Sequence, residues 1–163
     1  MIDIRAWNRL IRLASPEGRR LLPAWLLLWE VDLWLRLAGF ARLQAALSRP
    51  PRAAPPRGEA VELIEAARRM AQAILRASRY VPRARCLHRA LALLLWLRRR
   101  GIQADLRLGV RSGAEAIEGH AWVEWNGVLL NDERSVYDTF VLLERPHGAT
   151  AAPARRVTHT SPP

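Results

Sequence analysis

The chain has 163 residues, of which half are hydrophobic and a quarter are charged, so it is long enough for one globular domain with its own core. Its single cysteine excludes an internal disulfide framework. All 26 basic residues are arginine and the net charge is +11, but the arginines are spread over every segment instead of alternating with aromatics in one stripe. We therefore do not expect a nucleic-acid-binding protein.

The first predicted helix covers residues 2–14, where Ile4, Trp7, Leu10 and Ile11 share one face among arginines. Packing on the core is the simplest use of such a helix, and contact with a membrane surface or a partner protein is the alternative. The N-terminus has no apolar run before a small-residue cleavage site, so we expect no secretory signal and a cytoplasmic location.

Residues 21–47 are rich in Leu, Ala and Trp and predict helices that pack on the core or on a partner protein. Pro23 should kink this region or restart a helix within it. The apolar run over 21–29 is far shorter than the ~20 residues of a membrane span. The proline-rich stretch RPPRAAPPR, residues 49–57, then predicts a linker.

Two more helices follow the linker. Apolar side chains line one side of residues 59–79, and glutamates suit the N-terminal end. The stretch RCLHRALALLLWLRRR predicts a helix over 83–100 that ends at Gly101. Because this helix is apolar on nearly every side, it should lie inside the domain. Cys86 should therefore lie near the N-terminal turn of a buried central helix.

Strand patterns replace helical ones after Gly101. Leu106, Leu108 and Val110 alternate with polar or small residues, and Asn126-Gly127 separates the runs GHAWVEW and VLLND as in a β-hairpin. Residues 140–143 predict a further strand. The chain accordingly has an α+β pattern, with an N-terminal helical region, a linker, a main domain and a disordered tail over residues 1–49, 50–58, 59–144 and 145–163.

The order of Cys86, His120 and Asp132 indicates nucleophilic chemistry. The N-terminal end of a helix favours the thiolate of a cysteine, and its free N–H groups can hold a developing oxyanion. A histidine and an acid on the following hairpin would supply the base and the group that orients it. The alternative is a buried structural cysteine.

The hairpin register decides which acid meets His120. A two-residue loop would place His120 opposite Glu133 and would put Asp132 on the wrong face. A three-residue loop ending in a left-handed Gly127 would place Asp132 opposite His120. We predict the three-residue loop, with Glu133 as the alternative orienting acid.

Other polar and aromatic residues have weaker assignments. Trp122 lies on the face of His120 and is a candidate wall of a substrate cleft, with core packing as the alternative. Glu124 lies on that face too and could support His120, but we interpret it as a solvated strand residue. His88, two residues from Cys86, should point elsewhere on the helix. No cysteine or histidine pair has the spacing of zinc ligands, so we expect no metal ion and no cofactor.

An ordered set of motifs resembles the transglutaminase-like leader peptidases of lasso-peptide biosynthesis: CLHRALAL from Cys86, LRRRG from Leu97, LRLGVR from Leu106, HAWVE from His120 and ND at Asn131. HAWVE recurs across transglutaminase-like proteins, and the whole set is more specific. The resemblance covers about residues 59–143. It implies a papain- and transglutaminase-like α+β fold, in which a buried Cys-bearing helix packs on an antiparallel sheet behind an N-terminal helical extension.

The resemblance also implies a function. It makes Cys86 the nucleophile, His120 the base and Asp132 the orienting acid of a protease that removes the leader from a ribosomally made precursor. Because residues 1–58 read as helices, the chain resembles the split form, which acts with a separate leader-recognition protein and a macrolactam cyclase. An amide or acyl transferase using the same residues is one alternative. A non-catalytic basic scaffold that binds peptide or membrane is the other.

Overall fold

The computed structural model describes residues 18–143, apart from residues 52, 55, 114 and 115. The predicted helix over 2–14 and the predicted disordered tail over 145–163 lie outside the described residues and stay predictions.

The described residues form helices and one antiparallel sheet. The helices are α1 (Gly18–Leu37), α2 (Gly39–Ser48), α3 (Ala60–Ser78), α4 (Cys86–Arg99) and the short α5 (Val136–Thr139). The strands are β1 (Asp105–Ser112), β2 (Ile117–Trp125), β3 (Val128–Leu129) and β4 (Val141–Leu142), in the spatial order β3-β2-β1-β4. The predicted α+β class is confirmed.

Helix α4 is the centre of the core, as its apolar sequence predicted. Leu91, Leu93 and Leu97 are fully buried. The helix packs against α1 and α3 on one side and against Ala121 and Val123 of β2 on the other. Each buried leucine contributes roughly 1.5–3 kcal/mol relative to exposure, so this contact between helices and sheet dominates the stability of the fold.

Helix α1 belongs to the same hydrophobic core as α4, because its Leu28 and Val31 are fully buried there. The helix continues through Pro23. The interruption lies instead at Gly39, whose φ of 79° suits glycine. Of the two outcomes predicted at Pro23, a kink or a restart, the restart is therefore wrong. No helix among the described residues is long and apolar enough to cross a bilayer.

The start of the proline-rich stretch is held against the C-terminal end of α4. Arg98 donates from Nη1 to the carbonyl oxygen of Leu47 at 2.8 Å and also to that of Arg49. Its Nη2 donates to the carbonyl oxygen of Pro50 at 3.3 Å. Farther along, the carbonyl of Ala54 passes so close to Gly101 that a Cβ there would lie 2.1 Å from the oxygen.

The β2–β3 hairpin has a two-residue loop, so the predicted three-residue loop is wrong. Trp125 pairs with Val128 across Asn126 and Gly127, whose φ angles of 49° and 75° are those of a type I′ turn. The regular pairing stops after Leu129.

A side chain then replaces the backbone in the ladder. The Leu130 N–H donates to the Val123 carbonyl at 3.0 Å. The Val123 N–H donates to Oδ1 of Asn131 at 2.7 Å. The chain therefore leaves the strand before it reaches Asp132.

Candidate active site

Cys86 is the first residue of α4 and is partly buried. Its Sγ lies 4.0 Å from the carbonyl oxygen of Gly119, within range of a weak S–H···O hydrogen bond. The first turn of α4 contains no acidic residue. The free N–H groups of that turn therefore have no competing carboxylate on their own helix.

His120 and Asp132 form a short hydrogen bond, with His120 Nε2 and Asp132 Oδ2 2.5 Å apart. Asp132 is held from its other oxygen, Oδ1, which accepts the N–H of Glu133 at 2.9 Å. When Nε2 donates to this carboxylate, Nδ1 of His120 is the nitrogen that remains available as a base.

One cavity of about 470 Å³ brings the three predicted residues together. Its lining includes Cys86, His120 and Asp132, and also the alternative acid Glu133. Gly119, whose carbonyl oxygen contacts the sulfur, directly precedes His120 in β2. The side chains of His120 and Asp132 are 22% and 29% exposed, so both are accessible to solvent but mostly covered by protein.

Two aromatic rings pack against the imidazole of His120. The Phe140 ring is nearly parallel to it, with centroids 4.9 Å apart and an interplanar angle of 22°. The Trp122 ring lies 6.1 Å away at 28°. Trp122 is fully buried, in a small cluster with Leu129 and Val136. Trp122 therefore packs behind the imidazole. This agrees with the alternative of core packing and not with the predicted wall of a substrate cleft.

Gly109 makes room for these rings. It is the cross-strand neighbour of His120 in the β1–β2 ladder. A Cβ at this position would come within 2.9 Å of both Phe140 Cβ and the Trp122 ring. Any side chain here would push the aromatic rings away from the imidazole.

Glu124 is buried, so its interpretation as a solvated strand residue is wrong. Its carboxylate accepts hydrogen bonds from Trp122 Nε1 at 2.9 Å, Tyr137 Oη at 2.8 Å and Arg107 Nε at 2.8 Å. Burial acts to raise the pKa of Glu124, but the three hydrogen bonds and the charge of Arg107 outweigh it and lower the pKa. The ionised carboxylate thus fixes the indole that packs behind His120.

Tyr137 experiences the opposite effect. Burial, followed by the hydrogen bond to Glu124 and the charge of that carboxylate, raises the pKa of Tyr137 to about 12.

His88 points away from Cys86, as the helical spacing predicted, and packs between α4 and α1. Its Nε2 lies 3.6 Å from Oδ1 of Asp32, a buried residue of α1 that also pairs with Arg36 at 2.8 Å. Among the described residues, no group of three or more His, Cys, Asp or Glu side chains is arranged to hold a metal ion.

Three residues that shape the surroundings of His120 have roles that were not predicted from the sequence: Asn131, Phe140 and Gly109. Gly109 had a visible signal, since an isolated glycine inside an alternating strand often marks a close approach of other groups. Asn131 had a weaker one, because a side-chain amide beside a hairpin strand can replace a backbone partner. Phe140 had none beyond its place in a short predicted strand.

Comparisons with known proteins bear on the family of the chain. The sequence profile of the transglutaminase-like superfamily matches residues 25–159, a range that includes part of α1 as well as the cavity. No curated protein and no solved structure matches the chain significantly. This superfamily usually comprises enzymes that act through a cysteine. The chain therefore belongs to the transglutaminase-like superfamily.

Proposed function

We propose that the chain is a cysteine peptidase in which Cys86 is the nucleophile, His120 the base and Asp132 the orienting acid. The observation that carries this proposal is that all three side chains line one cavity, in which Asp132 holds the imidazole at 2.5 Å. A sulfur, an imidazole and a carboxylate in one cleft are the parts that acyl transfer through a thioester requires.

The reaction follows from this arrangement. Nδ1 of His120 takes the thiol proton, and the Cys86 thiolate attacks the carbonyl carbon of the scissile peptide bond. The oxyanion faces the N-terminal turn of α4, where the Cys86 N–H is one donor. The C–N bond then breaks, and the imidazolium gives its proton to the leaving amine. Water, deprotonated by the same imidazole, hydrolyses the thioester and restores the thiol.

The proposed substrate is the precursor of a lasso peptide, from which the enzyme removes the leader. The ordered motifs from Cys86 to Asn131 support this choice over a general peptidase. The freed amine would then be available to a macrolactam cyclase. A leader-recognition protein would hold the leader, and its binding energy would position the scissile bond in the cavity.

The exposed face of α1 supports docking of that recognition protein. Among the described residues, α1 carries seven large apolar side chains that are 38–76% exposed: Leu22, Trp25, Leu26, Trp29, Leu33, Trp34 and Leu37. Most of them lie on the side opposite to Leu28 and Val31. Large aromatic residues on an apolar patch are typical of protein interfaces.

The function is tested by mixing the purified chain with its precursor and recognition protein and weighing the products. Hydrolysis gives two fragments whose masses sum to that of the precursor plus one water. The Cys86→Ala variant should give none. An amine-linked product without added water would indicate an acyl transferase, and processing by Cys86→Ala would exclude the enzyme altogether.

Docking is tested separately by measuring affinity for the recognition protein. Leu26→Glu and Leu33→Glu place charges in the middle of the α1 face and should weaken binding at least tenfold. Val61→Glu is the matched control, because Val61 is an apolar residue on α3 that is at least as exposed as Leu26 and Leu33. Equal affinity of all three variants would remove α1 from the interface.

A further inference from the structure

A second cavity, of about 260 Å³, adjoins the one that contains Cys86. It lies between α1 and α3, and we call it the arginine groove after its lining of Arg20, Leu21, Arg68, Arg69, Gln72, Ala73 and Arg76. Arg68 and Gln72 line both this groove and the cavity of Cys86. The two cavities therefore lie next to each other on the surface of α3.

The groove is strongly basic. Four of its seven lining residues are arginine, and no described lining residue is acidic. Guanidinium groups keep their charge at every pH at which a protein folds. Arg69 pairs with Glu65 at 3.4 Å, but both side chains are exposed and such a pair is weak.

The spacing of the groove residues suits an elongated ligand. Arg68, Gln72 and Arg76 are four residues apart on α3, so they form a row of about 12 Å along one face of the helix. The cavity of Cys86 differs in charge, because Asp132 and Glu133 there oppose Arg68 and Arg89. The arginine groove thus has the larger excess of basic side chains, and it lies beside the cavity that contains Cys86.

We propose that the arginine groove binds acidic side chains of the peptide substrate, a few residues from the scissile bond. This inference rests on the proposed peptidase function. An extended peptide advances about 3.3 Å per residue, so a row of this length spans several substrate residues. Arginine binds carboxylates in paired, charge-assisted hydrogen bonds, which selects Asp and Glu over their amides.

Nucleic acid fits the groove less well than an acidic peptide. Single-stranded nucleic acids bind through aromatic side chains on which the bases stack, as well as through basic residues. The described lining of the groove contains no aromatic side chain. Its position beside the cavity of Cys86, with which it shares Arg68 and Gln72, also favours a ligand that is itself a substrate.

Binding to the Cys86→Ala chain tests the proposal without any need for turnover. The probes are two labelled peptides of the same length and cleavage sequence, one with Asp and Glu on both sides of the scissile bond and one with Asn and Gln there. We expect the acidic peptide to bind at least tenfold more tightly at about 0.05 M salt, with most of this advantage lost at about 0.5 M. Equal affinities would overturn the proposal.

Substitutions of arginine test whether the preference for the acidic peptide comes from the arginine groove. Arg69→Gln combined with Arg76→Gln should remove most of the preference for the acidic peptide. Arg79→Gln is the matched control, since Arg79 is an exposed arginine at the end of α3 outside both cavities. A preference that survives in the double variant, or displacement of the acidic peptide by an equimolar single-stranded oligonucleotide, would overturn the assignment.

Cleavage of precursors in which these two peptide sequences follow the leader, by the unmodified chain together with its recognition protein, separates this proposal from the peptidase function. A higher kcat/KM for the acidic peptide supports both. Equal cleavage of the two supports the peptidase function and overturns the proposal that the arginine groove binds acidic side chains. If neither peptide is cleaved but the acidic one still binds through Arg69 and Arg76, the peptidase function fails and the groove stands.

Discussion

His120 bonds to Asp132 even though the register of their hairpin would put the two side chains on opposite faces of the sheet. The two-residue loop pairs Glu124 with Leu129, which in a regular ladder would place Asp132 opposite Ala121. The contact forms because the pairing ends after Leu129 and the side chain of Asn131 takes over the next hydrogen bond. An irregularity in the strand thus brings the acid to the imidazole.

Asp132→Asn should lower the rate of leader cleavage by about 10²–10⁴-fold, because an amide does not hold the imidazole in the required tautomer. The fold should be unchanged, as judged by circular dichroism. Asp138→Asn, at an exposed position of α5, is the control and should keep full activity. Loss of activity in Glu133→Gln with full activity in Asp132→Asn would show that Glu133 is the orienting acid.

Asn131→Leu should destabilise the protein by about 1–3 kcal/mol, because it leaves the Val123 N–H without its acceptor. It should also reduce activity, since Asp132 would no longer be held beside His120. Asn131→Asp keeps an acceptor oxygen and should retain more stability. Urea unfolding and cleavage rates measure the two effects, and a fully active, fully stable Asn131→Leu would contradict this role.

Gly109→Ala and Gly119→Ala should behave differently although both glycines lie in the same pair of strands. A methyl group at Gly109 would come within 2.9 Å of Phe140 and Trp122, whereas nothing lies within 4 Å of a Cβ at Gly119. Gly109→Ala should cost about 1–3 kcal/mol of stability and reduce activity. Gly119→Ala should be close to wild type in both thermal unfolding and cleavage assays.

Glu124→Gln should be destabilised at neutral pH but not in acid. Because the folded state lowers the pKa of Glu124, its contribution to stability is present above the unfolded pKa and is lost as the pH falls through the folded value. The difference in unfolding free energy between wild type and variant should therefore be largest at about pH 7 and shrink toward about pH 3. A difference that does not depend on pH would mean that the charge of Glu124 does not matter.

Tyr137→Phe tests how the hydrogen bond between Tyr137 and Glu124 affects stability at alkaline pH. Folding raises the pKa of Tyr137 to about 12, so the phenol stabilises the protein below its unfolded pKa of about 10 and loses that effect as the pH rises toward the folded value. Urea unfolding between these two values should show a decline in wild type that the phenylalanine variant lacks. Parallel curves for the two proteins would contradict the assignment.

Much of the fold was predictable because it depends on patterns that repeat. The apolar run of α4 and the Asn126-Gly127 turn each follow a rule of sequence periodicity or turn chemistry, and both are found where they were expected. The predicted three-residue loop was wrong because it assumed that the strand stays regular as far as Asp132. The use of Asn131 in place of a backbone partner is a single local exchange with no periodic trace.

The surroundings of the site were harder to predict than its central residues. Glu124 is buried only because donors from distant parts of the chain, Arg107 and Tyr137, converge on it with Trp122. Phe140 reaches His120 because β4 lies beside β1 in the sheet. Such convergence depends on topology, which a single strand pattern does not encode.

The burial of α1 against α4 has a consequence for limited proteolysis. The proline-rich stretch is a candidate site for a protease. Helix α1 before it stays attached, because Leu28 and Val31 are buried in the core. Arg98 also donates hydrogen bonds to the carbonyl oxygens just before the remaining prolines. A nick at about residue 56 should therefore leave two fragments that elute together and separate only in denaturant.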